Sequence, residues 1–145
     1  MKRLLLVLLV IAVTLTLGCA KTSPEITADI TPQPSQIIAD ITTDQAFTLI
    51  QENQDNPDFF IIDVRTQAEF EQGHIENAIN IDYYSDTFQD ELNNLDKDKT
   101  YLVYCKVGGR SKDALAIMKE LGFMEAYNMQ GGIDQWKEDE LPITE

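Results

Sequence analysis

Between residues 105 and 111 the chain reads Cys105-Lys106-Val107-Gly108-Gly109-Arg110-Ser111. A thiol is followed, after Lys106 and Val107, by two glycines, and then by a guanidinium and a hydroxyl. The glycines let the backbone curl so that successive N–H groups point inward and form a cradle for an anion. An anion cradle beneath a cysteine favours thiolate over thiol, and the thiolate is the reactive nucleophile. Arg110 can close the ring with a forked, permanently charged group. Lys106, Arg110 and Lys112 gather three positive charges within seven positions of an otherwise acidic chain, an expected positive island for a small anion. The chemistry these residue types predict is nucleophilic attack by sulfur on an anionic substrate.

The flanking sequence must hold that loop in place. Tyr101-Leu102-Val103-Tyr104 is an apolar strand ending on Cys105, and Lys112 to Leu121 reads as a helix with Ala114, Met118 and Leu121 on one face. In α/β sheets, ligands bind beyond the carboxyl ends of the strands, where the next helix offers unpaired N–H groups and the positive end of its dipole. The pattern recurs elsewhere. Asp58 to Val64 is a nearly continuous apolar run, as in a strand buried on both faces. Ala78 to Ile81 and Ala126 to Met129 are further strands. Thr42 to Gln45 and Thr66 to Glu69 are capping boxes that open helices. Phe88 to Leu95 and the segment around Trp136 after Gly131-Gly132 are also helical. Alternation of strand and helix predicts an α/β domain with a largely parallel sheet.

The chain has 145 residues and a net charge of −14, enough length for one domain with a substantial core. Its acidity argues against nucleic acid, whose phosphates require Lys and Arg. One histidine and two cysteines are too few for the usual zinc ligand sets, and no metal is expected. At the amino terminus, Lys2 and Arg3 precede an apolar run from Leu4 to Leu17, shorter than a membrane span and of signal-peptide length. The run ends at Leu15-Thr16-Leu17-Gly18-Cys19, which resembles the lipobox of prokaryotic lipoproteins. That resemblance implies cleavage before Cys19, lipidation of Cys19 and a membrane-held domain on the extracytoplasmic side of a prokaryotic envelope. Loss of residues 1–18 would remove Lys2 and Arg3 and take the charge from −14 to −16. The expected organisation is a signal peptide over 1–18, a Pro- and Thr-rich tether over 19–37 and a domain over 38–143. Ala28-Asp29-Ile30-Thr31 recurs as Ala39-Asp40-Ile41-Thr42; the first copy reads as linker and the second as the approach to a helix.

Three stretches together resemble the rhodanese-like domain family: Asp63-Val64-Arg65 with Glu69-Phe70, Gly73-His74-Ile75 and Asn77-Ala78-Ile79-Asn80-Ile81; the Cys-x-x-Gly-x-Arg-Ser loop of 105–111; and Leu121-Gly122-Phe123 through Gly131-Gly132-Ile133 to Trp136. The one departure, Glu76-Asn77 where family members often carry Pro-Gly, falls in a turn. The resemblance implies a five-stranded parallel sheet flanked by helices and a sulfurtransferase that needs no cofactor. Cys105 would carry sulfane sulfur as a persulfide, taken from thiosulfate or a similar donor and passed to a thiol or cyanide. Arg110 would bind the donor anion, and Lys106, Val107, Gly108, Gly109 and Ser111 would form the binding loop. Four residues separate Cys105 from Arg110, one fewer than in phosphatases of this fold, which selects sulfur over phosphate. Asp63, Arg65, Glu69 and His74 belong to the structural motif, with Arg65 expected to pair with Glu69. Trp136, Tyr83 and Tyr84 are expected to pack. A monomer is expected. Two alternatives stand beside the enzyme: a sulfur-relay or protein-binding module with little turnover, and a thiol redox sensor.

Overall fold

The apolar runs become strands because each is flanked by segments that can cover it. A computed structural model describes residues 35–145. The expected signal peptide, the Cys19 lipidation site and the tether as far as residue 34 lie outside the described residues. Ten elements follow in order: β1 (Ile37–Ile41), α1 (Thr43–Glu52), β2 (Phe59–Asp63), α2 (Gln67–Phe70), β3 (Ala78–Asn80), α3 (Phe88–Asn93), β4 (Thr100–Tyr104), α4 (Gly109–Glu120), β5 (Glu125–Met129) and α5 (Gly132–Glu138). The strands form one five-stranded sheet in the order β1-β5-β4-β2-β3, and every pairing is parallel. The expected α/β fold, a five-stranded parallel sheet flanked by helices, is the fold observed.

Alternation along β4 divides the core in two. Tyr101, Val103 and then Cys105 face a cluster with Phe88 and Leu92 of α3 and Ala114, Leu115 and Met118 of α4. Leu102 and Tyr104 face the other side, against Ala46 of α1 and Ile133 and Trp136 of α5. Both faces are therefore buried, which is why β4 reads as an unbroken apolar run rather than an alternating one. Both capping boxes form, with Thr42 and Thr66 accepting from the N3 backbone and the Gln45 and Glu69 side chains reaching back.

Two elements differ from the sequence reading. The second Ala-Asp-Ile-Thr copy is not a simple approach to a helix: Ile37–Ile41 is edge strand β1, paired with β5 from Ile37↔Glu125 to Ile41↔Met129. As an edge strand it is only partly covered, so its apolar pattern is weak. Helix α4 begins at Gly109, three residues before the expected Lys112. Gly108 takes the left-handed φ of 91°, turning the chain sharply enough for the next residue to start the helix.

Candidate active site

The site is the junction of β4 and α4, at the carboxyl end of the sheet. Because α4 starts early, Arg110 and Ser111 lie in its first turn rather than in a loop, and the backbone of that turn wraps the sulfur. Cys105 is buried, 1% exposed. Gly108 donates its N–H to Cys105 Sγ at 3.2 Å, and the Ser111 hydroxyl lies 3.4 Å from the same atom. Burial pushes the thiol pKa up, but bonds from the Ser111 hydroxyl and from the backbone N–H groups of Ser111, Val107 and Gly108 outweigh it, so the thiol lies below its ordinary value. Gly108 is buried within the loop, whereas Lys106, Val107 and Gly109 face solvent.

The loop is clamped from below by α5. Ile133 donates its N–H to Cys105 O at 2.9 Å and Asp134 donates to Lys106 O at 3.0 Å. This approach requires Gly132, where a Cβ would fall 2.5 Å from Cys105 O and from Lys106 C and O. The glycine pair that the sequence marks as a helix start is thus also the seat of the reactive loop.

Arg110 is committed to a partner. Its Nη1 and Nη2 donate to Glu69 Oε2 and Oε1, both at 2.8 Å, and its guanidinium lies 5.5 Å from the centre of the exposed Tyr84 ring. The Arg110 bond, assisted by bonds from Thr66 against the cost of burial, holds the Glu69 carboxyl at a pKa of about 2. The same ion pair raises the pKa of Arg110. The expected positive island is therefore muted: Glu69 balances Arg110, and the exposed Lys106 and Lys112 remain. A cleft of about 230 Å³ opens beside the loop, lined by Arg65, Glu69, Lys106, Asp134 and Lys137 among others.

The Arg65–Glu69 pair does not form. Arg65 instead grips Asp63 through Nε and Nη2, at 2.6 to 3.0 Å, and donates from Nη2 to Gly73 O at 2.8 Å. Arg65 precedes α2, so the i,i+4 spacing does not bring it beside Glu69 on a helical face. Buried Asp63 is its partner instead. His74 stacks on Phe70, lies 3.1 Å through Nδ1 from Phe70 O, and pairs its backbone with Thr144. Trp136 is buried, with Nε1 donating to Pro142 O. Tyr83 packs on Phe88. Two polar residues escaped the sequence reading. Ser111 Oγ donates to buried Asn128 Oδ1 at 2.6 Å, and Asn128 Nδ2 donates to Asp40 Oδ1 at 2.7 Å. An asparagine inside the apolar last strand was the signal that could have found them.

Fold and site define a parallel α/β domain carrying a buried cysteine in an amide-lined loop at a helix amino terminus. The chain belongs to the rhodanese-like domain family, whose model matches residues 46–139. Among solved structures it is similar to a rhodanese-like domain protein from Staphylococcus aureus, 33% identical with a TM-score of 0.59, covering 74% of this chain and 99% of that one. It is also similar to a rhodanese-related protein from Thermoplasma volcanium, at 29% identity and a TM-score of 0.61, covering 73% of this chain and 97% of that one. A curated relative, the tRNA uridine(34) hydroxylase of Photorhabdus laumondii, is 39% identical over 61% of this chain, and the match spans 28% of that protein's length.

Proposed function

We propose that the protein is a sulfurtransferase in which Cys105 carries sulfane sulfur as a persulfide. The observation that supports this most directly is the convergence of the Gly108 N–H and Ser111 hydroxyl on Cys105 Sγ, at 3.2 and 3.4 Å, where α4 begins. In the first half-reaction the thiolate attacks the outer sulfur of a donor such as thiosulfate. A new S–S bond forms, the donor's S–S bond breaks, and the electron pair leaves with sulfite. In the second, cyanide or an acceptor thiolate attacks the outer sulfur of the persulfide, and Cys105 is released as thiolate. Two transfers replace one difficult one, and no proton must move if the thiol is already ionised. Arg110 keeps N–H groups beyond the two given to Glu69 and would orient the donor anion, with Lys106 beside it. The curated relatives' name points to action on tRNA, but the match spans only 27–28% of their length, and a net charge of −14 opposes a polyanion. Cys19 would carry the lipid anchor, a reading supported by the Leu15–Cys19 pattern and tested by mass measurement of the mature amino-terminal peptide.

The experiment is intact and peptide mass spectrometry after incubation with thiosulfate. One added sulfur on the peptide containing Cys105, absent from Cys105→Ser, is expected. Turnover of thiosulfate with cyanide should disappear in the same variant. If no sulfur adds to Cys105, the reading fails; if it adds without turnover, the chain is a relay.

A further inference from the structure

The Ser111 hydroxyl has one hydrogen and two acceptors. Asn128 Oδ1 lies at 2.6 Å and Cys105 Sγ at 3.4 Å. The amide oxygen of Asn128 can only accept, so at 2.6 Å it takes the Ser111 hydrogen. Asn128 is turned this way by Asp40: a carboxylate accepts and does not donate, so the Nδ2 end must face Asp40 Oδ1, at 2.7 Å, leaving Oδ1 for Ser111. The chain of bonds runs outward from Ser111 through buried Asn128 to exposed Asp40 on edge strand β1. Its direction draws the one available hydrogen away from the sulfur. In that state Ser111 can accept from a Cys105 S–H, and its own bond to the sulfur, which favours thiolate, forms only when the hydroxyl turns. Ionised sulfur leans instead on backbone N–H groups, unless the hydroxyl turns and gives up its short bond to Asn128.

We propose that Asp40 and Asn128 are positioning residues that fix which way the Ser111 hydroxyl donates, and so restrain ionisation of Cys105. The inference deepens the sulfur-carrier reading by naming what governs its nucleophile. Ionisation is measured with no sulfur donor present, so either reading can fail while the other stands. Asp40→Asn is the decisive change, being exposed and nearly the same shape. Asn at position 40 can donate to the Asn128 amide oxygen, which lets that amide turn. Asn128 Nδ2 then donates to Ser111, and the Ser111 hydrogen is free to donate to the sulfur. The charged groups around Cys105 are Arg110 of α4, which couples to it and is balanced by Glu69 of α2, and Lys106, Lys112 and Asp134 along the loop and the starts of α4 and α5. None of them changes in this variant.

The test is the pH dependence of iodoacetamide alkylation of Cys105 in the full chain, read on the peptide carrying that residue. Asp40→Asn should move the midpoint down by about half to one pH unit, roughly three- to tenfold more thiolate at a fixed pH below it. Removing a negative charge could lower the midpoint through space alone, and Ser111→Ala separates the two causes. If the relay operates, Asp40→Asn has no effect in the Ser111→Ala background, with circular dichroism confirming that each variant folds. An equal shift in both backgrounds reduces the effect to charge and overturns the proposal. An unchanged midpoint in the single variant overturns it as well.

Discussion

At the scale of single residues, the site is a set of competing claims on a few charges and hydrogens, and the Glu69–Arg110 pair is the clearest case. Glu69 serves two masters: it closes the capping box with Thr66 and holds Arg110 with two bonds. Glu69→Gln separates these roles, since glutamine still serves at N3 of a capping box but brings no charge to Arg110. The Glu69 side chain is 30% exposed, so solvent screening limits the loss to about 1 kcal/mol at pH 7. Its pKa is lowered in the folded state, from an ordinary 4.5 to about 2. The stabilisation is therefore complete above the ordinary value and lost as pH falls toward 2. Urea unfolding at pH 7 should separate wild type from the variant, and near pH 2.5 the gap should shrink markedly. A gap that persists undiminished at pH 2.5 would assign the loss to something other than the ion pair. The same substitution frees Arg110 from its fixed position, so the KM for thiosulfate should change in steady-state assays, whereas a purely stabilising pair would leave it alone.

At the scale of elements, the reactive loop depends less on its own strand and helix than on α5 beneath it. Gly132 has a left-handed φ of 60°, and its missing Cβ makes room for Cys105 O and Lys106. Gly132→Ala must push the start of α5 off the loop, breaking the bonds from Ile133 and Asp134, and should cost roughly 2–3 kcal/mol together with most of the activity. Gly109→Ala is the counterpart: nothing lies within 4 Å of the added Cβ, and the position is the first of α4. It should be neutral or stabilising by up to about 1 kcal/mol, with turnover retained. Thermal unfolding with thiosulfate–cyanide turnover checks both; equal loss in the two variants would mean that glycine matters here for flexibility rather than for clearance. These elements also divide what the sequence could disclose from what it could not. Four strands, both capping boxes and the Cys105 loop were legible because each is written in residues a few positions apart. Edge strand β1 was not, because coverage on one side leaves a weak pattern. Nor were the polar partners of the site: Glu69 and Arg110 are 41 residues apart, Ser111 and Asn128 are 17 apart, and Asp40 and Asn128 are 88 apart. Only parallel strand order brings those pairs together, and charge alone gave Arg65 the wrong partner.

At the scale of the whole domain, an all-parallel sheet has a polarity, and that polarity separates the entry ends of the strands from the Cys105 loop. Every strand starts at one pole and ends at the other, so β1 is entered at the pole opposite Cys105. Gln36, just before β1, is fastened there, its Nε2 donating to Lys119 O and Phe123 O at the end of α4. Five residues of strand set the two poles about 17 Å apart. At physiological ionic strength electrostatic fields decay over about 8 Å. A charge changed at the entry pole is therefore screened before its field reaches the Cys105 loop. This matters because the proposed donor is an anion, which negative charge near the loop would deplete. Asp98→Asn, at an exposed position just before β4, should therefore leave the KM for thiosulfate unchanged at physiological ionic strength, whereas Lys106→Gln in the loop should raise it. A KM that falls in Asp98→Asn by as much as it rises in Lys106→Gln would put both poles within reach of one field and contradict that screening.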